Sequence, residues 1–389
     1  MKILHTVEFY TPSIGGMQEV VKQISERLAA LGHEITVATT YLAERKEQII
    51  NGVKIIQFKI SGNIVRGLSG EIQDYERFLL ESDFDVITNF AAQQWATDIA
   101  LPLLNCIKSK KVFVPTGFSG LYLPEYKQYF ENMKNWLNIY DMNIFLSNDY
   151  RDINFAKHNN IQNIKLIPNG AASDEFLNPI NIDLRKLLNI PTNYKLILNV
   201  GSHTGLKGHS EAIKIFNLAN IKDVTFLIIG NEYKQGCTNN CNLKKKLFNI
   251  SPSRWKDRKQ VKIKSLSRIE TVAAYQQADL FLFPSNIECS PLVLFECMAS
   301  KTPYLTTDVG NAKEIIEWSN SGLLLPTTQD DKGYSKAEIT QSVKILESVF
   351  DNHQQLSRMK NNGFLAWQKR FTWENISKEY EKTYSDLLR

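Results

Sequence analysis

Residues 3–7 read as a buried strand, YTPSIGG follows as a loop, and Met17, Val20, Val21, Ile24, Leu28 and Leu31 then recur at helical spacing. Gly32 stops that helix, and EITVAT begins a second apolar run. Strand, glycine loop, helix, strand is the grammar of a parallel βαβ unit, because parallel neighbours need a crossover that covers the sheet. The unit is then written again. LILNV (196–200) is a strand, GSHTGLKG (201–208) a glycine-rich loop, 209–220 a helix and TFLIIG (225–230) a strand. A chain of 389 residues is too long for one ordinary domain. Two Rossmann-like units in tandem are therefore predicted, with the link between them near 178–192.

Further strands are expected at 54–58, 86–89, 111–114, 142–146, 164–167, 261–263 and 280–284, with a helix near 268–278. Residues 231–264 carry ten Lys or Arg against two acids and read as a basic, looped insertion. The tail, 371–388, places Trp373, Ile376, Tyr380 and Tyr384 on one helical face.

Composition narrows the function classes. A hydrophobic content of 43% and a charged content of 22% are those of a soluble globular protein. No apolar run approaches the roughly 18 residues of a membrane span. Glu8 interrupts the first apolar stretch too early for a signal peptide, so a cytoplasmic location is expected. A net charge of +5 is too small to argue for nucleic acid, but suits a phosphorylated ligand or an anionic membrane surface. The five cysteines stand at 106, 237, 241, 289 and 297. CTNNC lacks a second cysteine cluster, so reduced, unliganded thiols are expected and no metal.

In doubly wound sheets ligands bind at the carboxyl ends of strands, so the loops there matter most. SIGG (13–16) precedes a helix, and its Gly15 and Gly16 let backbone amides approach an anion; a plain tight turn reads equally well. GSHTGLKG carries Lys207 but is not a Walker loop, since Gly208 follows the lysine. IPNG (167–170) is a structural turn. ECSPLVLFE (288–296) places Ser290 and Pro291 as the cap and first residue of a helix reaching Ala299. Glu288 then lies in the loop and Glu296 inside the helix, of order 10 Å apart. That is too wide for a retaining-glycosidase carboxylate pair at about 5–5.5 Å. Between them stands a helix N-terminus suited to phosphate. A solvated loop glutamate beside a helix-surface glutamate is the plain alternative.

Together, these loops and the following TDVGNAKEII resemble the retaining glycosyltransferases of family 4, over nearly the whole chain. The resemblance implies the GT-B fold, an α/β architecture of two Rossmann-like domains facing across a cleft. It divides the chain into an acceptor-side domain (1–180), a nucleotide-sugar domain (181–370) and a C-terminal helix (371–389) returning to the first. Glu288 would bind the transferred sugar and balance transition-state charge, and Glu296 would bind the ribose. Gly15, Gly16, Lys207 and the backbone from Cys289 through Ser290 and Pro291 to Leu292 would hold the diphosphate, and Gly201 and Ser202 would belong to the same donor-binding site. The resemblance implies no cofactor and no catalytic metal.

Ser202 stands where the family usually has arginine, a diphosphate contact that His203, Lys262, Lys264 or Arg268 would have to replace. Thr116 stands in a sugar-pocket position often held by histidine. The expected partners are a nucleotide-sugar donor, UDP-linked, and a glycan or lipid-linked acceptor in surface polysaccharide or lipopolysaccharide assembly, at the inner membrane face. A GT-B nucleotide-sugar epimerase and a non-catalytic binding member are the alternatives. Seven aromatics between Phe118 and Tyr140 would either meet the acceptor or lipid surface, or pack in an amphipathic helix.

Overall fold

The computed structural model describes residues 1–231, 236–331 and 333–389. The chain forms two compact units, Met1–Asn169 with Trp373–Arg389, and Gly170–Thr372. Residues 170–180 count with the second unit because Ala171 and Phe176 enter its core, with Leu184 and Leu188 behind them. Among the described residues, no helix is long and apolar enough to cross a membrane.

The first unit contains β1 (Lys2–Thr6), β2 (Glu34–Thr40), β3 (Ile49–Ile50), β4 (Val53–Phe58), β5 (Ile60–Asn63), β6 (Gly67–Gly70), β7 (Val86–Phe90), β8 (Lys110–Val114), β9 (Met142–Phe145) and β10 (Ile164–Leu166). Its main sheet runs β10-β9-β8-β7-β1-β2-β4-β3, parallel except for the β3–β4 pair. Strands β5 and β6 form a separate hairpin that periodicity did not mark, since three of its eight strand residues, Gly62, Gly67 and Gly70, are glycine.

The second unit contains β11 (Lys195–Val200), β12 (Val224–Ile229), β13 (Lys259–Lys264), β14 (Leu280–Phe283), β15 (Tyr304–Thr306) and β16 (Gly322–Leu324), in the order β13-β12-β11-β14-β15-β16, all parallel. Leu196 and Leu198 of β11 join one apolar layer, and Ile197 joins the other. Strand β12 splits likewise, with Leu227 and Ile229 against Phe226 and Ile228. Successive side chains point to opposite faces, and both faces are covered, which is why these strands read as continuous apolar runs.

The basic stretch 231–264 is not a loop. It carries the helices Thr238–Asn249 and Pro252–Lys256 and strand β13, while residues 232–235 lie outside the described residues. Only Cys241 and Phe248 of the longer helix are buried, so its apolar stripe is too narrow to stand out among Asn and Lys. The C-terminal helix Trp373–Leu387 buries Trp373, Ile376, Tyr380 and Tyr384 within the first unit. Arg27 reaches Glu374 at 2.8 Å, and His33 reaches Glu381 at 2.8 Å. Inside, Tyr384 Oη lies 3.2 Å from His5 Nε2 and accepts a 2.8 Å bond from Thr88.

Of the aromatics between 118 and 140, Phe118, Tyr126, Tyr129, Phe130 and Tyr140 are buried in one cluster and Trp136 packs at its edge. Tyr122 alone is well exposed, with the Arg151 guanidinium 5.3 Å from its ring centre. Core packing therefore accounts for most of that run.

Candidate active site

Strand β11 has β12 on one side and β14 on the other, so strand order reverses between β11 and β14. The loops leaving these two strands open the crevice where a doubly wound sheet binds ligands. Gly208 makes their approach possible. Its φ is +66°, and a Cβ there would sit 1.7 Å from the Pro284 carbonyl oxygen. Asn286 N–H donates to the Leu206 carbonyl at 2.9 Å, which fixes the loop crossing.

Lys207, between those two anchor points, places Nζ 2.6 Å from Glu288 Oε1. Ser285 Oγ donates to the same oxygen at 2.8 Å. From the other side the loop after β15 closes on the same segment. Gly310 (φ +57°) would carry a Cβ 2.4 Å from the Cys289 carbonyl oxygen, and Asn311 N–H donates to that oxygen at 3.0 Å. The Glu288 side chain is 12% exposed and Lys207 27%, so this ion pair is partly shielded from water and stronger than a surface pair.

The helix after Glu288 runs Leu292–Ala299 with Pro291 as its N-cap, at φ −70° and ψ 111°. Pro291 is still extended, so the helix starts one residue later than a Ser290 cap predicts. Glu296 lies within it, 7% exposed. Its Oε1 receives Arg268 Nη1 at 2.6 Å. Arg268 also forks onto Glu175, through Nε at 3.0 Å and Nη2 at 2.6 Å. Burial opposes the guanidinium charge, but the Glu296 and Glu175 carboxylates outweigh it and raise the Arg268 pKa well above its ordinary range. Each glutamate of ECSPLVLFE thus has its own cation.

Gly201 and Ser202 open the Lys207 loop, both half-buried. His203 does not replace the arginine expected at 202. It is 1% exposed, with Nδ1 3.5 Å from Cys237 Sγ. Gly15, Gly16 and Thr116 belong to the other compact unit. Gly15 caps the helix Gly16–Ala30 in extended backbone (φ 178°), and a Cβ at Gly16 would meet nothing. Thr116 begins a left-handed turn with Gly117 and Phe118, at φ +59°, +108° and +46°. Asp152 Oδ2 accepts from Gly117 N–H at 2.8 Å. Burial raises the Asp152 carboxyl to about 6, against its hydrogen bonds from Ile153 and Gly117. Ala91 (φ +62°) and Gln93 (φ +64°), after β7, share this strain, and Gln93 Oε1 accepts from Gly120 N–H at 3.0 Å. Ser285, Asp152 and Gln93 escaped sequence reasoning. Only Ser285 left a signal there, its place in the same loop as Glu288.

Residues 14–175 match the model of Glycosyltransferase Family 4, and residues 181–364 that of Glycosyl transferases group 1. An uncharacterized glycosyltransferase of Methanocaldococcus jannaschii is 23% identical, covering 99% of this chain and 98% of that one. The O-antigen biosynthesis glycosyltransferase WbnH of Escherichia coli is 32% identical over 23% of each chain. Among solved structures, sucrose-phosphate synthase from Thermosynechococcus elongatus superposes with a TM-score of 0.80 at 18% identity, covering 99% of this chain and 98% of that one. Anabaena HepE in complex with UDP-glucose gives a TM-score of 0.75 at 16% identity, covering 99% and 100%. The fold is therefore GT-B, and the chain belongs to the group 1 glycosyltransferases of the family 4 type.

Proposed function

We propose that this glycosyltransferase retains anomeric configuration and moves a sugar from a UDP-linked donor to a glycan or lipid-linked acceptor in surface polysaccharide assembly. The observation that carries the reading is the convergence of Lys207 and Ser285 on one oxygen of Glu288, beside the N-terminus of the helix Leu292–Ala299. As the bond from the anomeric carbon to phosphate breaks, positive charge grows on the sugar and negative charge on the leaving phosphate. The Lys207 ammonium and the backbone N–H groups from Cys289 to Leu292 stabilise the phosphate. The Glu288 carboxylate accepts sugar hydroxyls and stabilises the developing cation. Such charges fixed in advance need no reorganisation at the moment of reaction.

The acceptor hydroxyl attacks from the face the phosphate leaves, and its proton passes to the leaving phosphate oxygen. No protein nucleophile is needed. The Glu288 oxygen is already engaged by an ammonium and a hydroxyl, which blunts it as a nucleophile. Glu296 binds the ribose, with Arg268 holding its carboxylate in place. The phosphate charge is met by the ammonium and the helix end, so the chemistry requires no metal. UDP-glucose in the HepE complex supports the donor class, and the O-antigen relative supports the acceptor class.

Calorimetry with UDP, GDP and ADP tests the donor. UDP is expected to bind best, and Glu296→Ala to weaken it about tenfold, or about 1.4 kcal/mol. Equal binding of all three, or none, would overturn the assignment. An α-linked donor must give an α-linked product by NMR, and added magnesium or manganese must leave the rate unchanged. Epimerised donor without acceptor would indicate an isomerase instead. The net charge of +5 supports peripheral binding to anionic bilayers on the cytoplasmic side. Flotation with anionic vesicles at low salt must carry part of the protein upward.

A further inference from the structure

Four soft metal-binding side chains meet at the root of the Lys207 loop. His203 lies within the loop, and His209 is the first residue of the helix His209–Leu218, so the two histidines flank Lys207 in sequence. Cys237 is the N-cap of the helix Thr238–Asn249, and Cys241 follows one turn later. One ligand atom from each of the four lies within 4.8 Å of the other three. Cys237 Sγ is 3.4 Å from His209 Nδ1 and 3.5 Å from His203 Nδ1. The two imidazole centroids are 4.4 Å apart. His203 and His209 are each 1% exposed and Cys241 is fully buried.

Polar side chains gathered out of water need partners. Here the sulfur and nitrogen atoms find chiefly one another, at the long distances of weak thiol contacts. A tetrahedral zinc bound by sulfur at about 2.3 Å and nitrogen at about 2.0–2.1 Å sets each S–N edge at about 3.6 Å. The two measured S–N edges are close to that before any ion enters. Two thiolates would neutralise one zinc, so the filled site carries no net charge, as burial demands. Two sulfur and two imidazole ligands with no open position suit zinc rather than a hard, oxygen-seeking ion.

We propose that His203, His209, Cys237 and Cys241 form a structural zinc site that braces the Gly201–Gly208 loop against the helix Thr238–Asn249. The ion takes no part in bond making. Binding releases the protons of the two thiols to solvent and joins two segments that a single backbone bond, Cys237 N–H to the His203 carbonyl at 2.9 Å, already ties together. Histidines on either side of Lys207 then fix the loop that presents it. The site departs from the expectation of unliganded thiols because the second ligand pair is HTGLKGH, not a second cysteine pair.

The full chain, produced with zinc in the medium, is tested for metal content and then, stripped of metal, with cobalt(II). About one zinc per chain is expected, together with the intense visible absorption and thiolate charge-transfer band of tetrahedral cobalt. Cys237→Ser with Cys241→Ser must reduce zinc to background and abolish both bands, whereas Cys106→Ser, an exposed cysteine, must change neither. Should the double variant fail to fold, alkylation of the metal-free native chain replaces it: zinc must protect Cys237 and Cys241 while Cys106 reacts. A native chain without zinc and without cobalt bands overturns the proposal. So does metal retained in full by a folded double variant, or a Cys237–Cys241 disulfide in the freshly purified chain. None of these readouts depends on nucleotide binding.

Discussion

Strand β1 of the first unit and β11 of the second each lie where strand order reverses, and each is followed by a glycine-bearing turn into a helix. The turns differ in what the glycines do. Gly208 stands in left-handed backbone against the Pro284 carbonyl, and the contact it permits positions Lys207 on Glu288. Gly15 is extended, and Gly16 has open space where a side chain would be. In the first unit the left-handed strain sits instead on Ala91, Gln93, Thr116 and Phe118, after β7 and β8. Backbone strain concentrates at functional sites, and each unit marks a strand-end region by it, the second through Gly208 and Gly310 and the first through Gly117 together with four residues that are not glycine.

The largest effect is expected at the carboxylate that the second unit's loops converge on. Glu288→Gln keeps the shape and an acceptor oxygen for Lys207 and Ser285 but removes the charge. Transfer rate should fall about 10²–10³-fold, the size of losing one preorganised electrostatic contact, with UDP affinity within about threefold of the unsubstituted chain. A rate within tenfold of normal would detach Glu288 from the chemistry and leave the Lys207 pair as a structural clasp.

Gly208→Ala comes next. The substitution adds a left-handed penalty to a collision with backbone that cannot swing aside, so unfolding should be easier by about 3 kcal/mol or more in urea. A loss below about 1 kcal/mol would mean that the loop relaxes away from Pro284 at little cost, and the contrast between the two turns would shrink.

Much of this contrast was legible in the sequence, and some was not. The strands 196–200 and 225–230 announce themselves because both of their faces are covered by apolar layers. The face of Trp373, Ile376, Tyr380 and Tyr384 is a plain helical stripe. Glu288 and Lys207 could be named through the family resemblance. Their contact could not, since it depends on two loops closing across 81 positions of chain. The Arg268 link to Glu296 and Glu175 is tertiary in the same way. Among the left-handed residues after β7 and β8, Ala91, Gln93, Thr116 and Phe118 were invisible because none of these four is of the types that favour such backbone. CTNNC alone is a weak metal signal, and HTGLKGH, the histidine pair that the structure gathers beside it, lies far enough away in the chain that the two were not read together.

The first unit's strained turn has its own signature in pH. Asp152, whose carboxylate holds Gly117 N–H, has a folded pKa raised by burial to about 6 from 3.8. The folded state therefore holds this proton more tightly than the unfolded chain. Its contribution is full below pH 3.8 and is lost as pH rises through 6, by up to about 3 kcal/mol. His5 acts oppositely. Burial lowers its pKa to about 3, so its contribution is present above 6.5 and is lost as pH falls from there toward 3. The two slopes offset each other in the whole chain, so the difference between Asp152→Asn and the unsubstituted protein is the useful quantity. Asp152→Asn should gain relative stability between pH 4 and pH 7, by about 2–3 kcal/mol. A difference that does not change with pH would mean that Asp152 is open to water, and that the 116–118 turn is not held from within.

The smallest effect is the one that separates fold from ligand. Gly16 is the first residue of a 15-residue helix, and a Cβ there has nothing within 4 Å. Alanine suits a helix better than glycine, so Gly16→Ala should change stability by no more than about 0.5 kcal/mol, in the stabilising direction. Any loss of UDP affinity in a chain that unfolds at the same urea concentration cannot come from the fold. It would mean that a ligand backs directly onto the Gly16 amide, where a methyl group would stand in its way. Unchanged affinity would make the first unit's glycines an ordinary turn, and leave the anion-binding role to the second unit's loop alone.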